Sequence, residues 1–189
     1  MESIRLKEIR KLLREINLFR SLDDDDLDSL AKEVGVLSLD SGVVFLKENE
    51  IANSMYLILD GAIEIYSHSE EGKEVSLAIL KKGRHFGEQA LLPGSRGERN
   101  ANARTIEKSD LVVIPRESFH RALESDPDIL TYLNKAGKEQ IRKKLEATSS
   151  VFRSLAIPES FSQWIEEKTY MDGEEVFHEG EIGDNFAAG

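Results

Sequence analysis

Apolar residues follow a helical spacing at the start of the chain. Over residues 1–17 they form one stripe, and Lys and Arg fill the other face, which predicts an amphipathic N-terminal helix or linker. A second helix is predicted from near Ser21, because the acidic run Asp23–Asp26 supplies the negative charge that favours a helix N-terminus.

The spacing changes to period two from Val36 to Ile114, in short segments separated by turn residues. Such alternation is typical of half-buried strands, and several short strands with regular turns predict a small barrel or sandwich. The predicted strands are Val43–Leu46, Met55–Leu59, Ala62–Tyr66, Val75–Leu80, Ala103–Thr105 and Leu111–Ile114. Together with the helices they indicate an α+β fold.

Helical spacing returns after Pro115. Asp126 and Pro127 mark a break that can also start the next helix, because proline suits the first helical turn. A long amphipathic helix is predicted over Asp128–Glu146, and its basic end complements the helix dipole. We interpret that basic end as solvent-exposed, not as a phosphate or nucleic-acid site.

Two stretches of the sequence return later in the same order. LFRSL at residues 18–22 returns as VFRSL at residues 151–155. GVVFLKENEIANSM at residues 42–55 aligns without gaps with GEEVFHEGEIGDNF at residues 173–186. Self-similarity at nearly one spacing indicates that one structural unit begins twice.

The repeat defines the expected domain organisation. We expect an N-terminal helix or linker over residues 1–17, a complete domain over residues 18–146, and the start of a second, truncated domain over residues 147–189. The second copy is too short to bury a core, so we expect the chain to be a fragment of a protein with at least two such domains.

Composition narrows the classes of function. The 189 residues carry 25 Lys and Arg against 36 Asp and Glu, a net charge of -11, which disfavours a general nucleic-acid surface. The absence of cysteine excludes disulfides and thiolate metal sites. The N-terminus lacks the apolar core of a signal peptide, and no apolar run approaches the ~18 residues of a membrane span. We expect a cytoplasmic chain without a membrane span.

Motifs for catalysis or metal binding are missing from the sequence. The histidines at 68, 85, 120 and 178 are scattered, without His-x-His or HExxH spacing, and neither a P-loop nor a G-x-S-x-G motif occurs. The acidic run at 23–26 lacks the alternating ligands and closing Glu of an EF-hand loop. We therefore expect no catalytic residues, no metal and no cofactor.

The segment FGEQALLPGSRGERNANART, residues 86–105, has the parts of an anion cradle. Gly87 permits close backbone approach, and residues 89–92 can form one helical turn whose N–H groups face an anion. An arginine in the same loop can hold a phosphate through two hydrogen bonds. Glu88 would repel a phosphate but can accept a hydrogen bond from a sugar hydroxyl. The segment thus indicates a nucleotide whose ribose and phosphate are close together.

These residues resemble the cyclic-nucleotide-binding domain family, in an arrangement similar to the tandem domains of cGMP-dependent protein kinase and of the regulatory subunit of cAMP-dependent protein kinase. The resemblance covers almost the whole chain. It implies a small eight-stranded, jelly-roll-like β-barrel with flanking N- and C-terminal helices. It also implies a sensor that binds cGMP or cAMP as ligand and regulates a kinase catalytic domain in cis or in trans, with no enzymatic activity of its own.

The resemblance assigns roles within two short matches, FGEQALL at residues 86–92 and RNAN at residues 99–102. It implies that Glu88 binds the ribose 2′-hydroxyl and Arg99 the cyclic phosphate, while backbone amides complete the phosphate shell. The expected ligand-binding residues are Gly87, Glu88, Gln89, Ala90, Arg99, Asn100 and Ala101.

Two departures from the family pattern leave questions open. The loop before Arg99 is longer than in common members, so Arg96 is an alternative phosphate ligand; we favour Arg99 because its surroundings reproduce the Arg-x-Ala ending. Asn49 and Ala52 stand where the family often has glycine. Asparagine tolerates a positive φ, whereas alanine is less easily explained.

The identity of the nucleotide and of the effector also stays open. Asn100 follows Arg99 and can hydrogen-bond a guanine edge, so we favour cGMP over cAMP. Tyr132 and Trp164 are candidates to cover the base, although the spacing of Trp164 is more typical of a core residue. The alternatives are a degenerate barrel that serves as an interaction or dimerisation module, and the sensor of a non-kinase effector.

Overall fold

Two antiparallel four-stranded sheets form the centre of the domain in the computed structural model, which describes residues 2–154. The helices are α1 (Glu2–Glu15), α2 (Asp24–Glu33), α3 (Arg116–Ser125), α4 (Pro127–Thr148) and α5 (Ser150–Ser154), and 3-10 turns occupy Asn17–Phe19 and Gln89–Leu91. The strands are β1 (Gly35–Leu39), β2 (Val44–Leu46), β3 (Ser54–Asp60), β4 (Ala62–His68), β5 (Glu74–Lys81), β6 (His85–Phe86), β7 (Asn102–Thr105) and β8 (Ser109–Pro115).

The strand order is β1-β8-β3-β6 in one sheet and β2-β7-β4-β5 in the other. Helices precede and follow the eight strands along the chain, which confirms the predicted α+β, jelly-roll-like fold class. The strands form two separate sheets and not a closed barrel, because hydrogen-bonded pairing ends at β1 and β6 in the first sheet and at β2 and β5 in the second. Two of the eight strands were not among those predicted. Strand β6 has only two residues, too few to show any period, and β1 lies at the start of the period-two region without having been identified as a separate strand.

Strand β3 separates two apolar cores because its side chains alternate in direction. Met55 and Leu57 are fully buried among the helices, in the core that α1 to α4 share. Tyr56 and Ile58 point the other way, into the core that both sheets line. The segment that follows β6 contributes to the helical core through Leu91, and β6 itself contributes to the sheet core through Phe86.

Aspartate caps explain where two helices begin. The Asp23 side chain accepts the N–H of Asp26 at 2.8 Å, so α2 starts in the predicted acidic run. The Asp126 side chain accepts the N–H of Asp128 at 3.0 Å, with Pro127 in the first turn of α4. The predicted break before the long helix is thereby confirmed, and that helix extends slightly beyond its predicted ends.

The predicted second domain lies mostly outside the described residues. Of the second copy of the repeat, only residues 151–154 are described, within α5. Residues 155–189, which contain the repeated segment at residues 173–186, are not part of the described structure. Within residues 2–154, none of the helices has the length and apolar character that crossing a membrane demands.

Candidate functional site

The segment from the last residue of β6 to the first residue of β7, residues 86–102, is called the cassette. It begins with a backbone turn at Gly87. The φ of Gly87 is 83°, in the left-handed region where residues with a side chain are strained. A Cβ atom at this position would lie 2.6 Å from Nη1 of Arg99. Glycine is therefore required here both by the backbone conformation and by the close approach of Arg99.

The Arg99 side chain is buried against this turn, with only 5% of the residue exposed. Its Nη1 donates to the Gly87 carbonyl at 2.9 Å, and its Nη2 donates to the Ser54 carbonyl at 2.7 Å. The guanidinium carbon lies 5.6 Å from the centre of the Tyr56 ring. Within residues 2–154, no carboxylate forms a salt bridge with Arg99. Burial lowers the pKa of Arg99 although the charges of Glu88 and Glu50 raise it. A buried cation whose hydrogen-bond partners are neutral carbonyls favours a bound anion.

Backbone pairing explains why the side chain of Arg99, and not that of Arg96, is buried against the Gly87 turn. The N–H of Arg99 donates to the Glu50 carbonyl at 2.8 Å, and the N–H of Asn49 donates to the Arg99 carbonyl at 2.8 Å. These two bonds fix the Arg99 backbone against the turn before β3. Arg96 lies in the loop and is exposed.

The two departures from glycine in the neighbouring turn have different explanations. Asn49 has a φ of 68°, so it occupies the left-handed region that asparagine tolerates. Ala52 is not among the positive-φ residues of the described chain, and it is fully buried, with its N–H donating to the Gly97 carbonyl at 2.8 Å. An alanine therefore fits this position without strain.

Glu88 is the most buried acid of the cassette, with 1% of the residue exposed. Its Oε1 accepts from Nε2 of Gln89 and from Nε2 of Gln140, each at 3.3 Å, and its Oε2 lies 3.4 Å from Nδ1 of His85. Burial alone would raise the pKa of Glu88, but the hydrogen bond and charge of His85, with the bond from Gln140, lower it from 4.5 to about 2. Glu88 is therefore an ionised acceptor at neutral pH.

The predicted helical turn of the cassette is present as the 3-10 turn Gln89–Leu91. The Leu91 N–H donates to the Glu88 carbonyl at 2.9 Å. The N–H groups of Gln89 and Ala90 come first in the turn, where no carbonyl of the turn itself can accept them. The Gln89 side chain points away towards α4, where its Nε2 donates to the Leu133 carbonyl at 3.2 Å. Any contact of Gln89 with an anion would therefore use its backbone.

The far end of the cassette is more open than its start. Asn100 is exposed, Ala101 is half-buried, and β7 begins at the next residue. The Asn100 carbonyl accepts from Nζ of Lys144 at 2.7 Å, and the same Nζ donates to Oε1 of Glu48 at 2.5 Å. Lys144 thus joins α4 to this end of the cassette.

Helix α4 contacts the cassette at three places, and none of these contacts was predicted from the sequence. Gln140 contacts Glu88, and Lys144 contacts Asn100. The third contact is at Gly137, where the side chain of Gln89 lies against the helix. A Cβ atom on Gly137 would lie 2.2 Å from Oε1 of Gln89. Glycine inside a helix lowers helix stability, so its presence at 137 indicates a reason such as close packing. This glycine is the one local sign in the sequence that another segment packs against α4.

Helix α3 contacts the other side of the cassette through its polar side chains. Nε2 of His120 lies 2.7 Å from the Leu91 carbonyl, and Nη2 of Arg116 donates to the carbonyls of Ala52 and Ala90 at 2.5 and 3.4 Å. Leu91 itself is fully buried in the helical core. A displacement of the 3-10 turn would therefore act on α3 directly.

The two candidates for a base cover differ in what the structure describes. Tyr132 lies on α4 and is 46% exposed, so its ring has room to move. Trp164 lies outside the described residues. Among residues 2–154, no group of three or more His, Asp or Glu side chains is arranged to hold a metal ion.

A sequence profile described as the Cyclic nucleotide-binding domain matches residues 36–126 of this chain. The matched range begins in β1, ends just after α3 and contains the whole cassette.

Similar proteins include a protein kinase, a transcriptional regulator and the regulatory domain of a kinase. The cGMP-dependent protein kinase 2 of Mus musculus is 30% identical over 131 residues, which are 67% of this chain and 17% of that protein. The cAMP-activated global transcriptional regulator CRP of Salmonella typhimurium is 30% identical over 111 residues, 59% of this chain and 50% of that protein. The regulatory domain of Toxoplasma gondii PKA, solved with cAMP, shares the fold with a TM-score of 0.62 at 20% identity, over 76% of this chain and 57% of that one. This chain spans less than two thirds of each of them.

Proposed function

Because the chain belongs to the cyclic nucleotide-binding domain family through residues 36–126, we propose that it is the cGMP sensor of a protein kinase. The observation that carries this proposal is the pairing, within one cassette, of two buried charges. Glu88 is ionised, and among the described residues the Arg99 guanidinium donates hydrogen bonds to neutral carbonyls only.

Each charge suits one group of a cyclic nucleotide. The Glu88 carboxylate accepts a hydrogen bond from the ribose 2′-hydroxyl, and the Arg99 guanidinium binds the cyclic phosphate. Two of the five N–H groups of Arg99 already donate to carbonyls, so three donors are left for phosphate oxygens. The first N–H groups of the 3-10 turn, on Gln89 and Ala90, and the amides of Asn100 and Ala101 supply further donors.

Preference for cGMP follows from the side chain after Arg99. Asn100 is exposed, and its amide can both donate to and accept from a guanine edge. Alanine at this position would offer neither. Of the similar proteins named above, the two that are 30% identical are a cGMP-dependent protein kinase and a cAMP-activated regulator, so the proposed preference rests on Asn100.

The kinase is the proposed effector because two of the similar proteins are a protein kinase and the regulatory domain of one. The similar transcriptional regulator supports a second candidate, in which the same sensor controls a non-kinase effector. In either case the domain regulates and does not catalyse.

The contacts of the 3-10 turn suggest how binding is transmitted. A phosphate that orders the backbone of Gln89 and Ala90 also repositions Leu91, whose side chain is buried among the helices. The Leu91 carbonyl contacts His120 of α3, and α3 leads directly into α4. A ligand that binds one arrangement of these helices better shifts the population towards it, and a coupling of about 1–3 kcal/mol is typical of such switches.

Calorimetric titration of the full chain with cGMP and cAMP side by side tests the proposal. We expect heat from both nucleotides at one site per chain, with tighter binding of cGMP. Linear 5′-GMP is the control, since its phosphate is not closed onto the ribose. If neither cyclic nucleotide gives heat or a thermal shift, the sensor function is wrong and the interaction-module alternative takes its place.

A further inference from the structure

The Glu88 carboxylate is already enclosed by hydrogen-bond donors of the chain itself. Two amide groups, from Gln89 and Gln140, share its Oε1, and the His85 ring faces its Oε2. The side chain of Glu88 is only 2% exposed. A ribose hydroxyl can therefore reach this carboxylate only if one of the three donors moves away.

Gln140 is the donor that can leave without disturbing the cassette. His85 belongs to β6 and Gln89 to the 3-10 turn, so both are attached to the backbone beside Glu88. Gln140 comes from α4, and apart from its contact with Glu88 the residue is exposed. Its amide can exchange Glu88 for water at the cost of that one hydrogen bond.

The docking of α4 holds the Gln140 amide at this carboxylate. On one side of Gln140, the Gln89 side chain fills the space that the missing Cβ of Gly137 leaves. On the other side, Lys144 binds Glu48 and the Asn100 carbonyl. The helix is thus fixed to both ends of the cassette, and Gln140 lies between these contacts.

We propose that Gln140 is an internal competitor for the ribose hydroxyl at Glu88 and so sets the affinity of the chain for its nucleotide. The inference rests on the proposed function, because it assumes that Glu88 binds the ribose. It gives α4 an inhibitory contact in addition to any contact with the base. The sign of the effect distinguishes it from a ligand-binding role, since removal of a competitor tightens binding and removal of a contact weakens it.

The test compares cGMP with its 2′-deoxy analogue, which lacks the competing hydroxyl. Affinities are measured calorimetrically for the wild-type chain, for Gln140→Ala and for Asn134→Ala, which removes an exposed amide from the same helix. We expect Gln140→Ala to bind cGMP about three- to tenfold more tightly, the range of one typical net hydrogen bond. The 2′-deoxy analogue should gain no more than about twofold, and Asn134→Ala should match the wild type.

Three results would overturn the role of Gln140. They are weaker or unchanged binding of cGMP by Gln140→Ala, an equal gain for both nucleotides, and an equal gain in Asn134→Ala. A wild-type chain that binds neither cGMP nor cAMP would instead refute the proposed function, so the two failures are distinguishable.

Discussion

Nη1 of Arg99 donates a hydrogen bond to the carbonyl oxygen of Gly87 at 2.9 Å, and it approaches so closely that Gly87 has no room for a side chain. The contact joins the two ends of the cassette, which are otherwise separated by an exposed loop. Because the guanidinium binds the backbone that carries Glu88, the two buried charges are positioned together.

Gly87→Ala is therefore expected to damage both stability and the site. The left-handed backbone alone costs about 1–2 kcal/mol for a residue with a Cβ. Displacement of Arg99 from its carbonyl partners adds the loss of hydrogen bonds from a charged donor, about 1.5–3 kcal/mol. Chemical denaturation should show a total loss of about 2.5–5 kcal/mol in the free energy of unfolding.

Gly94→Ala is the matched control for this variant. Gly94 has the same φ of 83°, but nothing lies within 4 Å of the position its Cβ would take. We expect only the backbone cost of about 1–2 kcal/mol. Equal losses in the two variants would show that the Arg99 contact contributes nothing to stability.

The low pKa of Glu88 predicts a pH dependence of stability. Because the pKa of about 2 in the folded chain is below the usual value of 4.5, the unfolded chain binds a proton first as the pH falls. The stabilisation from ionised Glu88 is thus present above about pH 4.5 and is lost as the pH falls towards 2. Its full size is on the order of 3 kcal/mol.

The measurement is the difference in unfolding free energy between the wild type and Glu88→Gln at a series of pH values. The wild type should lose stability relative to Glu88→Gln by roughly 2 kcal/mol between about pH 5 and about pH 3. Glutamine does not titrate, so other carboxylates cancel in the difference. A difference that stays constant over this range would contradict the assigned environment of Glu88.

Lys144→Met should loosen the C-terminal half of α4 from the cassette. The variant keeps a long side chain but removes the donor to Glu48 and to the Asn100 carbonyl, and we expect a loss of about 1–2 kcal/mol. Lys143→Met is the control, because Lys143 is exposed and has only a surface ion pair with Glu139 at 3.6 Å. The loss in unfolding free energy for Lys143→Met should not exceed about 0.5 kcal/mol. Hydrogen exchange of the α4 amides should accelerate in the first variant and not in the second.

Asn100→Ala is expected to reduce the preference for cGMP. One neutral hydrogen bond to the guanine edge is worth about 1 kcal/mol, so the ratio of cGMP to cAMP affinities should fall about fivefold. The affinity for cAMP should change little, because the proposed contact of this residue with the phosphate uses its backbone. An unchanged ratio would show that the base is recognised elsewhere.

Local sequence was informative wherever neighbours along the chain determine the structure. Asp126 and Pro127 indicated the start of α4, and the alternation around β3 and β4 indicated strands because a strand buries every second side chain. Gly87, Glu88 and Arg99 were candidates for the same reason: the cassette is one continuous segment.

Contacts between distant segments were beyond sequence reasoning. Gln140 and Lys144 reach the cassette only through the docking of α4, and neither residue type indicates a site in a helix rich in charged residues. The choice between Arg96 and Arg99 was open because it depends on the pairing of Arg99 with Asn49 and Glu50. The assigned ligand roles of the cassette residues stay predictions.

The most direct test of the site is calorimetric titration of the wild type, Arg99→Ala and Arg96→Ala with cGMP and cAMP. If the buried Arg99 binds the cyclic phosphate, Arg99→Ala should lose about 2–5 kcal/mol of binding free energy, the range for one partner of a buried charge pair. Arg96→Ala should bind like the wild type, because Arg96 is exposed. Unchanged affinity in Arg99→Ala together with a loss in Arg96→Ala would contradict the account.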